Sequence, residues 1–293
     1  MKIIGRFKKL NPLLPLYIIS GLLCLAVPFR TYQLLFITEN TTGFYKNIDW
    51  SVYAIYGLSA LAILVSIIIV NLAKNVPSSR DEIKKKNIFL SISSILFSFG
   101  IIIDSVFSFA SIIAGTASAD NFTSVVIETV FGVFAAIYFM LFGISHFDGK
   151  TTYFQYRFLA LAPLAWTTGR IIIRFMKKIA YVNVADLMLE LFILAGMMIF
   201  FLSLARISSG LSNEKSMRSL FSAGYVCIFF CALANIPRIV LSITGNGQYI
   251  PNEYPLSFCD LTFALFVAAY IINAMNKATI NDHDEIYDNE EVK

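Results

Sequence analysis

The chain has 293 residues, of which 57% are hydrophobic and 14% charged, with a formal net charge of +4 and a mean hydropathy of +0.71. Because soluble globular domains carry about 25% charged residues, this composition excludes an ordinary soluble domain, a disordered chain and a nucleic-acid-binding protein. Apolar stretches of about 20 residues recur along the sequence, and each is long enough to cross the ~30 Å hydrocarbon layer as a helix. The sequence therefore predicts a polytopic membrane protein of the all-α class, with the lipid bilayer as its first partner.

Eight membrane-spanning helices are predicted in chain order. The first begins near Pro12, since proline is favoured at the first position of a helix. Its apolar run is too long for a signal peptide and contains Arg30, so we interpret it as a membrane span. The fifth is the least regular, because Arg170 and Arg174 interrupt its second half. The predicted spans are residues 11–38, 49–73, 87–116, 123–146, 155–175, 182–206, 216–243 and 254–275.

Lysine and arginine in the connecting segments predict the orientation, because cytoplasmic loops carry an excess of these residues. With an even number of helices, both termini and alternate loops share one side, and that side holds most of the positive charge. We therefore predict that residues 1–276 form a bundle in the cell membrane and that 277–293 form an acidic cytoplasmic tail. The stretch 282–291 within this tail is expected to lack regular structure. The basic residues on the predicted cytoplasmic side are Lys2, Arg6, Lys8, Lys9, Lys74, Arg80, Lys84, Lys85, Lys86, Lys150, Arg157, Arg206, Lys215, Arg218, Lys277 and Lys293, against Lys46, Lys177 and Lys178 on the other side.

A repeat of about 70 residues is indicated when the helices are taken in consecutive pairs. In each pair, the first helix carries an ionisable residue in its outer part and the second carries a carboxylate in or near its first turns. The pattern suggests four tandem helical hairpins of one orientation, although the helix dipole favours carboxylates near any helix N-terminus without a repeat. The residues of the first kind are Arg30, Asp104, Arg170 with Arg174, and Arg238; those of the second are Asp49, Glu128, Asp186 with Glu190, and Asp260.

These charges inside the predicted spans are the candidate functional residues, because an arginine at the bilayer centre costs about 2.5–3.5 kcal/mol and needs a partner or a wet cavity. Two interpretations stay open. In one, a buried pairing network fixes the helix order without any ligand. In the other, the charges line an outward-facing cavity for an anionic group, since a guanidinium suits carboxylate and phosphate. Pro28 and Pro237, each close to an arginine, favour a distorted helix and hence a cavity. The candidate binding residues are Arg30, Asp104, Arg170, Glu190, Arg238 and Asp260.

Signatures of enzymatic chemistry are missing from the sequence. His146 and His283 are the only histidines, and neither has a second ligand at metal-binding spacing. No phosphate-binding glycine loop and no GxSxG elbow occurs. Cys227 and Cys231 lie four residues apart in an apolar stretch, and we interpret them as small buried hydrophobic residues rather than a redox or metal pair. The sequence therefore favours neither a metal nor a cofactor, and it does not favour an enzyme.

Three functions are compatible with these features. The first is a transporter or solute-binding membrane protein with an outward-facing site for an anionic or zwitterionic small molecule. The second is a non-catalytic sensor or partner subunit with structural ion pairs, whose basic segment 74–86 contacts anionic lipid or a membrane or cytoplasmic protein partner. The third is a lipid-modifying enzyme with Glu128 or Asp260 as acid or base, and no nucleophile or metal supports it.

Overall fold

The computed structural model describes residues 13–39, 45–47, 49–73, 86–113, 122–149, 157–176, 184–211, 214–251 and 256–291. Within these ranges the chain is helical apart from short turns and one isolated antiparallel bridge between Thr38 and Tyr45. The predicted all-α helical bundle is therefore confirmed. The α-helices are α1 (Leu14–Tyr32, continued by a π-helical turn over Gln33–Ile37), α2 (Trp50–Leu72), α3 (Ile88–Ile113), α4 (Phe122–Asp148), α5 (Ala162–Met176), α6 (Val184–Ser208), α7 (Glu214–Ile243) and α8 (Phe258–Glu291).

Seven helices in the described part of the chain are long and apolar enough to cross a membrane, so the protein is a multi-pass membrane protein. The fifth helix, α5, differs because it has 15 residues, whereas a span usually needs about 20. A single 3-10 turn over Leu159–Leu161 precedes it. Of the eight predicted spans, seven thus have the expected length and the fifth is a shorter helix.

The start of α2 agrees with the sequence prediction, and the end of α8 differs from it. Helix α2 begins where predicted, because the carboxylate of Asp49 accepts a hydrogen bond from the backbone N–H of Trp50 at 2.7 Å. The expected lack of regular structure over 282–291 is wrong, since α8 continues to Glu291. Extending an existing helix adds one hydrogen bond per residue, and this stretch contains neither proline nor glycine to stop it. Pro12, the predicted start of the first span, lies outside the described residues.

Six of the helices form a closed ring. From α3 to α8 each helix packs against the next one along the chain, and α8 packs back against α3. Helices α1 and α2 pack against each other and against α7, outside this ring. We call the end of the bundle where α1, α3, α5 and α7 end, and where the even-numbered helices begin, the charged end. The consecutive pairs are adjacent, as hairpins require, and the ring depends on contacts between the pairs.

Aromatic side chains fill the interior of the ring. The ring centroid of Phe97 lies 4.7 Å from that of Phe139 and 5.3 Å from that of Phe263. Phe201 and Phe266 complete this aromatic core, and all five side chains are buried. Such edge and offset contacts are the favoured packing of aromatic rings. Packed aromatic side chains therefore fill the middle of the ring.

Serines join helices α3 and α4, the pair with the most extensive contact in the ring. Ser91, Ser94 and Ser98 on one face of α3 each donate a hydrogen bond of 2.7 Å to a backbone carbonyl of α4. At Gly143 in α4, an added Cβ would lie 2.7 Å from Cγ1 of Ile95 and 3.0 Å from the carbonyl oxygen of Ser91. Small and hydroxyl-bearing residues at helix contacts in membranes allow this approach.

Replacement of Gly143 by alanine is expected to destabilise the protein, because the new methyl group collides with α3 at two points. Overpacking of this kind costs about 1–3 kcal/mol, which outweighs the gain of about 1 kcal/mol from the higher helix propensity of alanine. The measurement is the thermal unfolding temperature of the purified protein in detergent.

The matched control is Gly57→Ala in α2, where an added Cβ meets no atom within 4 Å. This control is expected to unfold at or above the wild-type temperature. An equal effect of both substitutions would show that α3 and α4 do not pack as closely as described.

Candidate functional site

Ionisable side chains converge on a cavity inside the ring at the charged end. The cavity has a volume of about 260 Å³, is partly open, and receives side chains from all six ring helices. It lies between the last turns of the odd-numbered helices and the first turns of the even-numbered ones. Its lining residues are Asp104, Ser108, Glu128, Arg170, Ile173, Arg174, Asp186, Glu190, Ile193, Ala234, Arg238, Leu256, Ser257 and Asp260.

One group of charges surrounds Arg170 of α5, and we call it the Arg170 cluster. Its guanidinium lies 3.7 Å from Asp104 of α3, 3.9 Å from Glu128 of α4 and 3.6 Å from Asp260 of α8. These distances permit electrostatic attraction but exceed those of charge-assisted hydrogen bonds, which are about 2.7–2.9 Å. The guanidinium also lies 5.1 Å from the ring centre of Trp166. Among the described residues, one cation thus lies near three carboxylates in this cluster.

Two atoms of the Arg170 cluster lack hydrogen-bond partners. Oδ1 of Asp260 and Nη1 of Arg170 are both fully shielded from solvent, and neither makes a hydrogen bond. Asp260 itself is only 8% exposed. Buried polar atoms are almost always hydrogen-bonded, and these two atoms lie 3.6 Å from each other, so a small movement of either side chain would join them by a hydrogen bond.

A second group, the Asp186 cluster, lies at the boundary between the ring and α1. Arg30 of α1 and Arg238 of α7 both donate hydrogen bonds to Oδ1 of Asp186, the latter at 3.2 Å. Arg30 also donates to the side chains of Gln33 at 3.1 Å and Tyr45 at 3.2 Å. The side chains of Arg30 and Asp186 are 2% and 1% exposed. Two guanidinium groups thus share one oxygen of the Asp186 carboxylate.

Tyr45 connects the segment between α1 and α2 to the Asp186 cluster. Its backbone forms the bridge to Thr38, and its hydroxyl lies between Arg30 and Gln33. Burial raises the pKa of the Tyr45 phenol, and the neighbouring Arg30 opposes this increase. Burial disfavours the phenolate form, so Tyr45 stays neutral at physiological pH and holds Arg30 by hydrogen bonds.

The remaining pair in the lining joins α5 to α6. Nε of Arg174 lies 3.0 Å from Oε2 of Glu190. Arg174 follows Arg170 by four residues, and Glu190 follows Asp186 by four, so each pair occupies one face of its helix. This pair is neutral and extends the polar lining along α5 and α6.

The start of α8 is held in place by a hydrogen-bonded chain from α7. The side-chain oxygen of Asn235 accepts a bond of 2.9 Å from the backbone N–H of Ser257. The Ser257 hydroxyl accepts one of 3.2 Å from the backbone N–H of Asp260. These bonds fix Asp260 in the first turn of α8, where a carboxylate is also favoured by the helix dipole.

The aromatic core closes the cavity towards the opposite end of the bundle. Trp166 lies one turn below Arg170 on α5, and Phe263 lies one turn below Asp260 on α8. The indole of Trp166 contacts Phe97 with a centroid distance of 6.5 Å. The charged lining therefore rests on a layer of packed aromatic rings.

Five of the six candidate binding residues line the cavity, namely Asp104, Arg170, Glu190, Arg238 and Asp260. The sixth, Arg30, is not among the lining residues and reaches the site through Asp186. Three further charged residues of the lining were outside the predicted set, although the sequence had marked each as ionisable and near the same end: Glu128, Arg174 and Asp186. Arg174 lies four residues after Arg170, and Asp186 lies four residues before Glu190. Because residues four apart share one face of a helix, this spacing would have added Arg174 and Asp186 to the predicted set.

The chemistry of the lining suits the binding of a charged group. Guanidinium groups and carboxylates from different helices present donors and acceptors to one small, partly enclosed space inside the bundle, where electrostatic interactions are stronger than in bulk water. Within the described ranges, no group of three or more histidine, cysteine, aspartate or glutamate side chains is placed to hold a metal ion. Comparisons of the chain with protein-family models, with curated proteins and with solved structures give no significant match.

Proposed function

We propose that this multi-pass membrane protein binds a small anionic or zwitterionic solute in the charged cavity and acts as a transporter or solute-binding protein of the cell membrane. The observation that carries this proposal is the arrangement of the lining charges. Eight ionisable side chains from six helices surround one partly open cavity, whereas a purely structural network would fill a dry interface between two helices. Each such residue is costly in a membrane, and ionisable residues there commonly mark solute pathways.

The orientation follows from the distribution of lysine and arginine. The basic segment 74–86 follows α2, which begins at the charged end, and precedes α3, which ends there. Because basic loops are retained in the cytoplasm, the cavity opens towards the outside of the cell. A solute therefore enters from the external medium, and the termini lie in the cytoplasm.

Transport requires the aromatic core to open below the bound solute. Alternating access in transporters commonly arises from the rocking of one helical unit against another around a central site. Here the contacts of Trp166 and Phe97 separate the cavity from the cytoplasmic half of the ring. This arrangement corresponds to an outward-open state.

The alternative is a non-catalytic sensor or partner subunit. The Asp186 cluster favours it, because Arg30 and Asp186 are almost completely buried and directly bonded, as in an ion pair that specifies helix arrangement. The Arg170 cluster favours solute binding over this alternative, because no charge-assisted hydrogen bond of normal length joins Arg170 to its carboxylates.

A solute of the proposed class is expected to stabilise the purified protein against thermal unfolding. At 100 times its dissociation constant, a ligand that binds only the folded state adds about 2.7 kcal/mol. The panel comprises amino acids, glycine betaine, succinate and inorganic phosphate, and the readout is the unfolding temperature in detergent. The variant Arg238→Gln removes one cation of the lining and is expected to lose most of this shift.

The matched control is Arg206→Gln, which makes the same change at an exposed position near the opposite end of α6. Its ligand-dependent shift is expected to equal that of the wild type. If no member of the panel stabilises the wild-type protein, the sensor or partner function replaces the proposed one.

A further inference from the structure

We propose that a groove on the outer surface of the ring holds one acyl chain of an anionic phospholipid, with the phosphate of that lipid bound at Arg157. The groove lies between the middle of α4 and the beginning of α5, and it shares no lining residue with the charged cavity. The proposal is independent of solute binding, because it requires only that the protein spans a bilayer. It rests on the lining and size of the groove and on the arginine beside it.

The lining of the groove is entirely apolar. Its volume is about 290 Å³, and its walls include Phe131 and Phe134 of α4 and Phe158, Leu161 and Ala165 at the beginning of α5. The larger side chains remain open at the surface, with Phe134 48%, Leu161 47% and Phe158 91% exposed. A lining of this kind offers no hydrogen bond to a polar solute, so the occupant that fits it is a hydrocarbon.

The dimensions of the groove favour a single acyl chain over a helix of another protein. At 1.5 Å per residue, the stretch from Phe158 to Ala165 extends roughly 10 Å along the bundle, which is within the ~15 Å of one leaflet of a ~30 Å hydrocarbon layer. A helix segment of that length and about 10 Å in diameter has a volume of roughly 800 Å³. This is more than twice the volume of the groove.

Arg157 lies where the head group of such a lipid is expected. It directly precedes Phe158 and is exposed, and among the described residues it has no hydrogen bond or ion pair. Because α5 ends at the charged end, its beginning and Arg157 face the opposite surface of the bilayer. The positive end of the α5 dipole points the same way. A guanidinium matches the geometry of a phosphate group, so the site combines a chain groove with a phosphate contact.

The arginine, rather than the groove, determines the preference among lipids. Lipid tails are as apolar as the side chains that they contact, so packing of the chain does not distinguish one head group from another. One basic residue near the membrane surface is expected to give about a fivefold preference for phosphatidylglycerol over phosphatidylcholine. Phosphatidylcholine carries the same phosphate, but its trimethylammonium group opposes the attraction to the guanidinium.

The experiment places a tryptophan in the groove and measures its quenching by brominated lipids. The chain has two tryptophans, of which Trp50 is 62% exposed and is replaced by phenylalanine. Phe134→Trp then adds the reporter, and the fluorescence of the Trp50→Phe protein without it is subtracted. The full chain is reconstituted in vesicles of equal parts phosphatidylglycerol and phosphatidylcholine, with the acyl chains of one or the other brominated. We expect brominated phosphatidylglycerol to quench more strongly, with a relative binding constant of about five.

Phe99→Trp, also made in the Trp50→Phe protein, is the matched reporter outside the groove. Phe99 and Phe134 are equally exposed, at 48%, and they lie at similar depth because Ser98 of α3 donates to the carbonyl of Ala136 in α4. At Phe99→Trp both brominated lipids are expected to quench equally. Leu161→Trp places a second reporter on the α5 side of the groove and is expected to repeat the preference of Phe134→Trp.

Two further variants of the Phe134→Trp reporter test the phosphate contact and the chain groove separately. Arg157→Gln is expected to abolish the preference for phosphatidylglycerol, whereas Arg206→Gln, which changes an exposed arginine of α6, retains it. Ala165→Phe fills the groove and is expected to reduce quenching by both lipids. Ala60→Phe adds the same group at an exposed position of α2 and is expected to change nothing.

Four outcomes would overturn the proposal. Equal quenching by the two lipids at both groove reporters would show that the groove does not select an anionic lipid. A preference at Phe99→Trp as well would indicate a general attraction of anionic lipid to the protein. A preference that persists in Arg157→Gln would exclude Arg157 as the phosphate contact. If neither lipid quenches the groove reporters while Phe99→Trp is quenched, a second copy of the chain or another protein covers the groove.

Discussion

Replacement of Asp186 by asparagine is expected to lower the free energy of unfolding by about 3–5 kcal/mol, because it removes one partner of a buried ion cluster. The side chains of Arg30 and Asp186 are 2% and 1% exposed, so water cannot replace the lost carboxylate. Two guanidinium groups would then face each other without compensation. The measurement is denaturant or thermal unfolding of the variant and the wild type in the same detergent.

A double variant separates this effect from general damage at the site. Arg30→Met combined with Asp186→Leu leaves one buried guanidinium without its carboxylate, that of Arg238, where Asp186→Asn leaves two. Its loss of stability is expected to be smaller than that of Asp186→Asn alone, since an apolar pair often replaces a buried ion pair at little cost. If the loss of stability in the double variant equals the sum of the losses in Arg30→Met and Asp186→Leu measured separately, the two residues are not coupled.

Replacement of Arg170 by glutamine is expected to have an effect of similar size, about 3–5 kcal/mol, for the opposite electrostatic reason. Asp104, Glu128 and Asp260 would then surround a neutral side chain and repel one another. The expected readout is a large decrease in unfolding temperature at neutral pH, measured in detergent without added solute.

The control for this variant is a partial rescue. Adding Asp260→Asn to Arg170→Gln leaves two carboxylates instead of three and is expected to recover part of the lost stability. Adding Glu214→Gln, which changes an exposed carboxylate at the opposite end, is expected to recover nothing. If both second substitutions act alike, repulsion within the Arg170 cluster does not explain the effect of Arg170→Gln.

Local patterns in the sequence account for most of the fold. Hydropathy identified seven helices of spanning length, because each helix must by itself satisfy its backbone hydrogen bonds in lipid. The start of α2 at Asp49 followed from a capping side chain. The end of α8 was misjudged, since an acidic composition was taken as evidence against structure although nothing in the stretch interrupts a helix.

The charged layer was visible in the sequence, but its pairing was not. Arg30 and Asp186 are 156 residues apart, and their contact depends on α1 packing against α7 outside the ring. Composition and spacing within a helix do not contain this information. For the same reason Arg30 was predicted to line the cavity, while in the folded protein it supports Asp186 from outside. The five candidate residues that line the cavity all lie on ring helices.

The short fifth helix has a consequence for the surrounding lipid. At 1.5 Å per residue, the 15 residues of α5 extend about 22 Å along the helix axis, less than the ~30 Å thickness of the hydrocarbon layer. Lipids adjust to such a mismatch by thinning beside the shorter segment. We therefore expect the bilayer beside α5 to be thinner than elsewhere around the protein, with the lipid head groups and their water closer to Arg170 and Arg174. Shorter acyl chains in the host membrane are then expected to reduce this mismatch and to change the hydration of the cavity.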